Sequence, residues 1–360
     1  MSRLATATIH PGALRHNLAR LREKAAPARV MAVVKADAYG HGLERVARAL
    51  ADADAFGVAA IADGLRLRAA GHRQRIVVLS GPDGPADLGE MRRLNLDAVI
   101  HHQSQLDWLA ADKGDTPIRV WLKVDSGMHR LGFAPARVAE VHARLQAMST
   151  VAKPVTLMTH FAASDEFDNA DTAHQIEVFD AATADIPGPR SLSNSAAVLG
   201  WPAGRGDWVR SGGLLYGLSV VEGKTGADFG FHPVMTLATR LVAVNRIAQG
   251  QRVGYGFAWE APEDMPIGVA AIGYGDGYPR TVDADTPVLV NGKRCPIAGR
   301  VSMDLVTIDL RNAPAARVGD PVTLWGADLP VETVAAHAGT ISYELTCGMT
   351  RRVLFVENHG

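Results

Sequence analysis

Val30-Met31-Ala32-Val33-Val34-Lys35-Ala36-Asp37-Ala38-Tyr39-Gly40-His41-Gly42 is the stretch on which the reading of the fold turns. Its first five residues are apolar, three of them valine, and they do not alternate with polar ones. Such a run predicts a parallel strand buried on both faces. Lys35 closes the run just where a Gly-containing polar loop begins. The carboxyl end of a parallel strand is where α/β folds keep their chemistry. A lysine there is the residue type expected to form a Schiff base with a carbonyl cofactor.

Working outward, strand-like runs alternate with helix-like ones from residue 30 to about 217. The predicted strands are Val30–Lys35, Ala55–Ala60, Arg75–Ser80, Asp97–His102, Arg119–Val124, Pro154–His160, Arg190–Asn194 and Val209–Tyr216. Between them Leu43–Ala51, Pro85–Leu94, Gln103–Ala111 and Pro135–Met148 read as helices. In the last, Val138, Val141, Leu145 and Met148 recur at helical spacing. About eight such units in roughly 200 residues favour a closed (β/α)8 barrel over an open doubly wound sheet. After Phe231 helical periodicity fades. Val234–Val244, Pro266–Ile272, Pro287–Val290, Cys295–Ile297 and Asp304–Leu310 read as strands, with an Asn291-Gly292 hairpin signal between two of them. The expected division is therefore residues 1–231 as barrel and 232–360 as a mostly-β C-terminal domain. The opening strand, Leu4–Ile9, precedes the barrel and can join that second domain.

Bulk composition bounds the function. The 360 residues are 47% hydrophobic and 21% charged, with Lys+Arg 37 against Asp+Glu 38 for a net charge of -1. No basic excess points to nucleic acid and no polybasic run to a membrane surface. Two cysteines, Cys295 and Cys347, supply neither a zinc framework nor a disulfide scaffold. No run approaches the ~18 apolar residues of a membrane span, and the N-terminus lacks the apolar core of a signal peptide, so a cytoplasmic protein is expected. Gly273-Tyr274-Gly275-Asp276-Gly277 has its third glycine one place early for a nucleotide loop, and His101-His102 lacks further ligands at metal spacing, so no metal is expected.

The other strand ends add Lys123-Val124-Asp125-Ser126-Gly127-Met128-His129-Arg130, Thr159-His160-Phe161, Ser193-Asn194-Ser195 and Arg210-Ser211-Gly212-Gly213-Leu214-Leu215-Tyr216-Gly217. Gly254-Tyr255-Gly256 and Gly299-Arg300-Val301-Ser302-Met303-Asp304 stand out in the second domain. Together with the lysine motif, these segments resemble alanine racemase, a fold-type III pyridoxal-phosphate enzyme, in register from the N-terminus to about Val353.

That resemblance implies an isomerase interconverting L- and D-alanine with pyridoxal 5'-phosphate, supplying D-alanine for peptidoglycan. It implies that Lys35 holds the cofactor and serves as one base, and that Tyr255 is the second base on the opposite face. Tyr255 would reach the site of the other subunit, making a homodimer with shared active sites. Tyr39, Ser195, Gly212 and Gly213 would bind the phosphate. Arg210 would donate to the ring nitrogen, which an arginine cannot protonate, and His160 with Arg210 would assist Tyr255. Arg130 and Met303 would hold the substrate carboxylate, the latter by its backbone N–H. Lys123 matches a lysine open to carbamylation, and Asp165, Tyr274, Arg280 and Arg300 match an access corridor. The chain departs from the commoner pattern at Ser211 and Gly213, where many members have Pro and Ile, and at Arg351, where some place a phosphate-binding tyrosine.

Four rivals bear on the reading, one of them an unrelated barrel enzyme without cofactor, which would have no reason to carry Lys35, Arg210 and the phosphate residues together. A racemase for another small amino acid such as serine keeps the same residues. Arg210 argues against a decarboxylase of this fold. A non-catalytic pyridoxal-phosphate carrier has no use for the second domain or Tyr255.

Overall fold

A computed structural model describes residues 5–358, so Leu4 of the opening strand lies outside the described residues. The chain runs through β1 (Thr6–Ile9), β2 (Arg29–Val33), β3 (Ala55–Val58), β4 (Arg75–Val78), β5 (Asp97–Ile100), β6 (Ile118–Lys123), β7 (Val151–Met158), β8 (Arg190–Ser191) and β9 (Trp208–Ser211). Strands β2 to β9 form one parallel sheet in the order β8-β7-β6-β5-β4-β3-β2-β9. The sheet curls until β8 and β9 face each other. There the Ser191 hydroxyl donates to the Trp208 carbonyl at 3.0 Å and Arg210 N–H to Ser193 O at 2.9 Å. The result is a nearly closed barrel of eight parallel strands with helices outside it.

The barrel interior explains which end can be active. Met31, Ala55, Val77, Val99, Trp121, Met158 and Trp208 meet on its axis and leave it packed rather than hollow. Toward the amino ends of the strands, fully buried Asp97 takes the guanidinium groups of Arg75 and Arg119 and the indole N–H of Trp121. This satisfied plug closes one mouth. Only the carboxyl ends of the strands remain open.

β10 (Met235–Ile247) organises the C-terminal sheet. It pairs antiparallel with β1, with Pro321–Trp325 and, further along, with Met265–Ala270. β1 also pairs in parallel with Leu354–Glu357, so the chain's opening strand sits in the sheet built by its end. The Asn291-Gly292 hairpin is present, with φ of 51° and 77° at the two turn residues, as a two-residue turn of this hand requires.

Several sequence expectations need correction. The run Val209–Tyr216 is strand only to Ser211, and Gly213–Tyr216 is a 3-10 turn because backbone bonding switches to Leu215 N–H with Gly212 O. Arg190–Asn194 shortens to two strand residues. Helices Val331–Ala338 and Ser342–Cys347 interrupt the β-rich domain. Both are too short to impose a visible helical period on the sequence.

Candidate active site

Lys35 owes its position to a strained turn. β2 ends at Val33, whose carbonyl accepts the buried Tyr216 hydroxyl at 3.0 Å. Beyond Lys35 the backbone winds left-handed through four successive residues, with φ of 54° at Ala36, 51° at Asp37, 56° at Ala38 and 53° at Tyr39. Each such L-residue costs roughly 1–2 kcal/mol, so the turn persists only because its surroundings dictate it. Gly40 N–H donates to Ala36 O, Gly42 N–H to Asp37 O and Leu43 N–H to the Asp37 carboxylate. The ring of His41, wholly buried, places Nδ1 2.8 Å from Tyr39 O and 3.1 Å from Ala38 O. The tight turn sends Lys35 and Tyr39 into the same space.

That space is a cavity of about 890 Å³ at the open barrel mouth, lined among others by Lys35, Tyr39, Lys123, Arg130, His160, Asp165, Ser195, Arg210, Gly212, Gly213 and Tyr343. Residues from six of the eight strand ends thus meet there. Lys35 is reachable through the open mouth yet protein surrounds it on most sides. Burial, reinforced by the charge of Arg130, lowers its pKa. Lys123 is more deeply placed. Burial first, then Arg210 and Arg130, bring its pKa down to about 8.

Arg210 is committed to the protein through both terminal nitrogens. Nη1 donates to Ser191 O and Oγ at 2.7 Å, and Nη2 donates to Thr159 O at 2.6 Å and Leu192 O at 3.0 Å. Its Nε–H has no partner among the described residues, and the side chain lines the cavity. A fixed, cationic donor therefore faces the ligand space. Nη2 also lies 3.3 Å from His160 Nδ1. Guanidinium can only donate, so Nδ1 must accept and the imidazole proton sits on Nε2. Burial, with Arg210 adding to it, holds the His160 pKa well below its ordinary value, and the ring is neutral.

Arg130 rides on a pinched loop. Phe133 N–H donates to Lys123 O and Asp125 N–H to Phe133 O, both at 2.9 Å, closing the neck. Inside it, Asp125 Oδ1 accepts from Gly127 N–H at 3.2 Å and His129 N–H at 2.9 Å. The buried hydroxyls of Ser126 and Thr159, 2.7 Å apart, tie this loop to the strand end that carries His160.

On the far wall Gly212 and Gly213 form a floor under two tyrosines. A Cβ on Gly212 would collide with the Tyr39 hydroxyl, and one on Gly213 with the Tyr343 hydroxyl. The two rings meet edge-on at 5.6 Å. Ser195 Oγ, from the start of a short helix, accepts Gly212 N–H at 2.9 Å. Three hydroxyls and a bare glycine floor suit a bound oxyanion. Sequence reasoning missed Tyr343, and Arg351, considered for this role, is exposed and absent from the lining. Tyr343 lies in the unforeseen helix Ser342–Cys347, and register with the family is the one signal that could have found it. An amine for an aldehyde, a donor for a ring nitrogen and an anion floor together fit pyridoxal phosphate.

A second group gathers on the edge of the C-terminal domain, outside this cavity. Tyr255 sits between Gly254 and Gly256, both at positive φ, and is 70% exposed. The Arg300 guanidinium passes beside Gly256. Tyr274 N–H donates to Ser302 O and Gly275 N–H to Met303 O, placing Tyr274 against Met303. Met303 is 52% exposed, and its own N–H has no partner among the described residues. Arg280 is exposed as well. Within one chain none of these five lines the barrel-mouth cavity, whereas Asp165 does.

Comparison with known proteins decides the ancestry. The profile of the alanine racemase N-terminal domain matches residues 9–220, and that of the alanine racemase C-terminal domain matches 234–356. The chain belongs to the alanine racemase family. A curated alanine racemase from Shewanella sp. (strain MR-7) is 52% identical over 347 residues, 96% of this chain and 97% of that one. The crystal structure of the biosynthetic alanine racemase from Pseudomonas aeruginosa superposes with a TM-score of 0.96 at 44% identity, covering 100% of both chains. The alanine racemase from Bartonella henselae, described with covalently bound pyridoxal phosphate, matches at a TM-score of 0.89 and 26% identity over 99% of each chain. Among the described residues no cluster of His, Cys, Asp or Glu could hold a metal ion, and no helix is long and apolar enough to cross a membrane.

Proposed function

We propose that this chain interconverts L-alanine and D-alanine as a homodimer, with pyridoxal 5'-phosphate held on Lys35. The observation that carries the reading is the one cavity in which Lys35, Arg130, the spare N–H of Arg210 and the tyrosine–glycine floor converge. When bound, the cofactor supplies a conjugated electron sink that makes the Cα proton of the amino acid removable.

The chain's own residues do the rest. Tyr39, Tyr343 and Ser195 bind the phosphate by their hydroxyls over Gly212 and Gly213. Arg210 Nε–H donates to the ring nitrogen and leaves it unprotonated, which restrains the sink and favours return of the proton over side reactions. Arg130 takes the substrate carboxylate by charge-assisted hydrogen bonds, joined by the free N–H of Met303 from the partner subunit. Lys35 Nζ moves the proton on one face of Cα, serving the D-enantiomer. The partner subunit's Tyr255 moves it on the other, serving the L-enantiomer. His160, with its proton on Nε2, donates toward that phenol oxygen and favours its deprotonated form.

The dimer is supported by what the C-terminal edge exposes. Tyr255, Phe257, Met303 and Leu305 are all more than 40% accessible, an apolar group that a monomer has no reason to present to water. Carbamylation of Lys123 is supported by its lowered pKa, since only the neutral amine attacks CO2, and the resulting anion would brace Arg130. Asp165 with the partner's Tyr274, Arg280 and Arg300 would line the access corridor. A biosynthetic role, providing D-alanine for peptidoglycan in the cytoplasm, is supported by the likeness to the Pseudomonas aeruginosa enzyme.

Chiral analysis of the purified protein against a panel of amino acids tests the assignment. Alanine is expected to racemise fastest; a clear preference for serine would move the chain to the neighbouring specificity. Borohydride reduction followed by peptide mapping should place the pyridoxyl label on Lys35, and a label on another lysine would sink the cofactor assignment.

A further inference from the structure

Ser211 is one of the positions where the chain leaves the commoner family pattern, and proline there would carry no hydroxyl. It is the last residue of β9, directly after Arg210. Along a strand successive side chains point to opposite faces. Arg210 lines the cavity, and Ser211 turns away from it, behind the floor, with no accessible surface. Its Oγ lies 2.9 Å from Ser195 Oγ. Among the described residues that is its one side-chain hydrogen-bond partner.

A count of protons gives the pair a direction. A buried hydroxyl that donates to nothing is unfavourable. Ser211 Oγ has Ser195 as its single acceptor. Ser195, 6% accessible, lines the cavity and can donate into it. Ser195 Oγ also accepts Gly212 N–H at 2.9 Å. If Ser211 donates as well, both Ser195 lone pairs are filled and its own proton has one direction left, toward the cavity. The opposite arrangement would turn the Ser195 proton away from the anion floor and strand that of Ser211.

We propose that Ser211 is a positioning residue for the phosphate: it donates to Ser195 Oγ and so fixes the Ser195 hydroxyl as a donor to the cofactor's phosphate. A donor whose own oxygen already accepts two hydrogen bonds is polarised and binds an anion more tightly. The hydroxyl rotor is also ordered before the ligand arrives, so no orientation has to be frozen on binding. The inference rests on the phosphate-site reading given above.

The test compares two ligands that differ only by the phosphate. Full-length chain freed of cofactor is titrated with pyridoxal phosphate and with pyridoxal, and the two dissociation constants are read from the absorbance near 420 nm. Ser211→Ala should weaken pyridoxal phosphate by about three- to tenfold, the scale of one neutral hydrogen bond, and leave pyridoxal unchanged. Ser211→Thr, which keeps the hydroxyl, should retain the wild-type preference. In a Ser195→Ala background, Ser211→Ala should have no further effect, because its route to the phosphate is gone. An unchanged ratio in Ser211→Ala overturns the proposal. So do equal losses for both ligands, which mark a packing role, and effects that add across the two serines. If the wild-type chain itself fails to prefer pyridoxal phosphate, the phosphate site is misplaced and the inference falls with it.

Discussion

The barrel mouth and the exposed edge of the C-terminal domain carry the same kinds of residue in opposite states. At the mouth each group is held by the chain itself. Arg210 spends both terminal nitrogens on backbone and serine oxygens, Asp125 folds the loop under Arg130, and a left-handed turn fixes Lys35 and Tyr39. At the edge Tyr255, between Gly254 and Gly256, and Met303 stand in solvent, with no hydrogen-bond partner among the described residues for the Tyr255 hydroxyl or the Met303 N–H. Preorganisation on one side and an exposed tyrosine on the other are what the proposed shared site would bring together. On the proposed reading, a single chain would be an incomplete catalyst whose cofactor half is already assembled.

The largest effect expected from within the barrel half is at Arg210. Arg210→Glu would place a proton on the ring nitrogen and break four hydrogen bonds to the strand ends. Racemisation should slow by roughly 100-fold or more, the scale of losing a preorganised donor, while pyruvate released per turnover rises. Chiral assay alongside pyruvate detection checks both. Unchanged racemisation would mean that the donor at the ring nitrogen does not govern the chemistry.

Gly213→Ala comes next. The added Cβ would drive the Tyr343 hydroxyl off the floor, and that hydroxyl is the far end of a side chain that can swing away. Losing one hydrogen bond to a charged group corresponds to roughly 10- to 100-fold in cofactor affinity, with the fold intact by circular dichroism. The same substitution at Gly292, in a hairpin turn with open space around it but a φ of 77° that strains an alanine, should cost stability and leave cofactor affinity as it was.

How much of this was legible in the sequence divides along the same line. Lys35 was readable because it closes an apolar run and the carboxyl ends of parallel strands converge by geometry alone, whereas the roles of Arg130, His160 and Arg210, on or just beyond other strands, came from the family resemblance. Tyr343 was not. It lies in a six-residue helix whose side chains follow no clear period, and its approach depends on a glycine 130 positions earlier in the chain. The left-handed turn was equally hidden. Ala36, Ala38 and Tyr39 have no local preference for positive φ and Asp37 only a modest one, so tertiary contacts impose the run of four. Tyr255 was legible as a residue between two glycines, but the site proposed for it needs a second copy of the chain.

The smallest effect concerns stability. Burial lowers the pKa of His41 from 6.5 to about 4, against the opposing pull of the Tyr39 and Ala38 carbonyls. Between those values the unfolded chain binds a proton that the folded chain refuses. His41 therefore leaves stability intact above about pH 6.5 and costs it progressively as pH falls toward 4. Urea unfolding at pH 7 and pH 5 should show a larger drop for the wild-type chain than for His41→Asn. Equal drops would show that the left-handed turn does not depend on a neutral ring.

The central claim is that each working site takes Lys35 from one chain and Tyr255 from the other, and mixing two inactive variants tests it most directly. Lys35→Ala and Tyr255→Phe proteins are combined, and subunit exchange is verified by mass. With random exchange about half the dimers are mixed, and each has one site with both wild-type bases, so activity should return to at most about a quarter of wild type. Exchange without any return of activity would contradict the account and assign Tyr255 to its own chain.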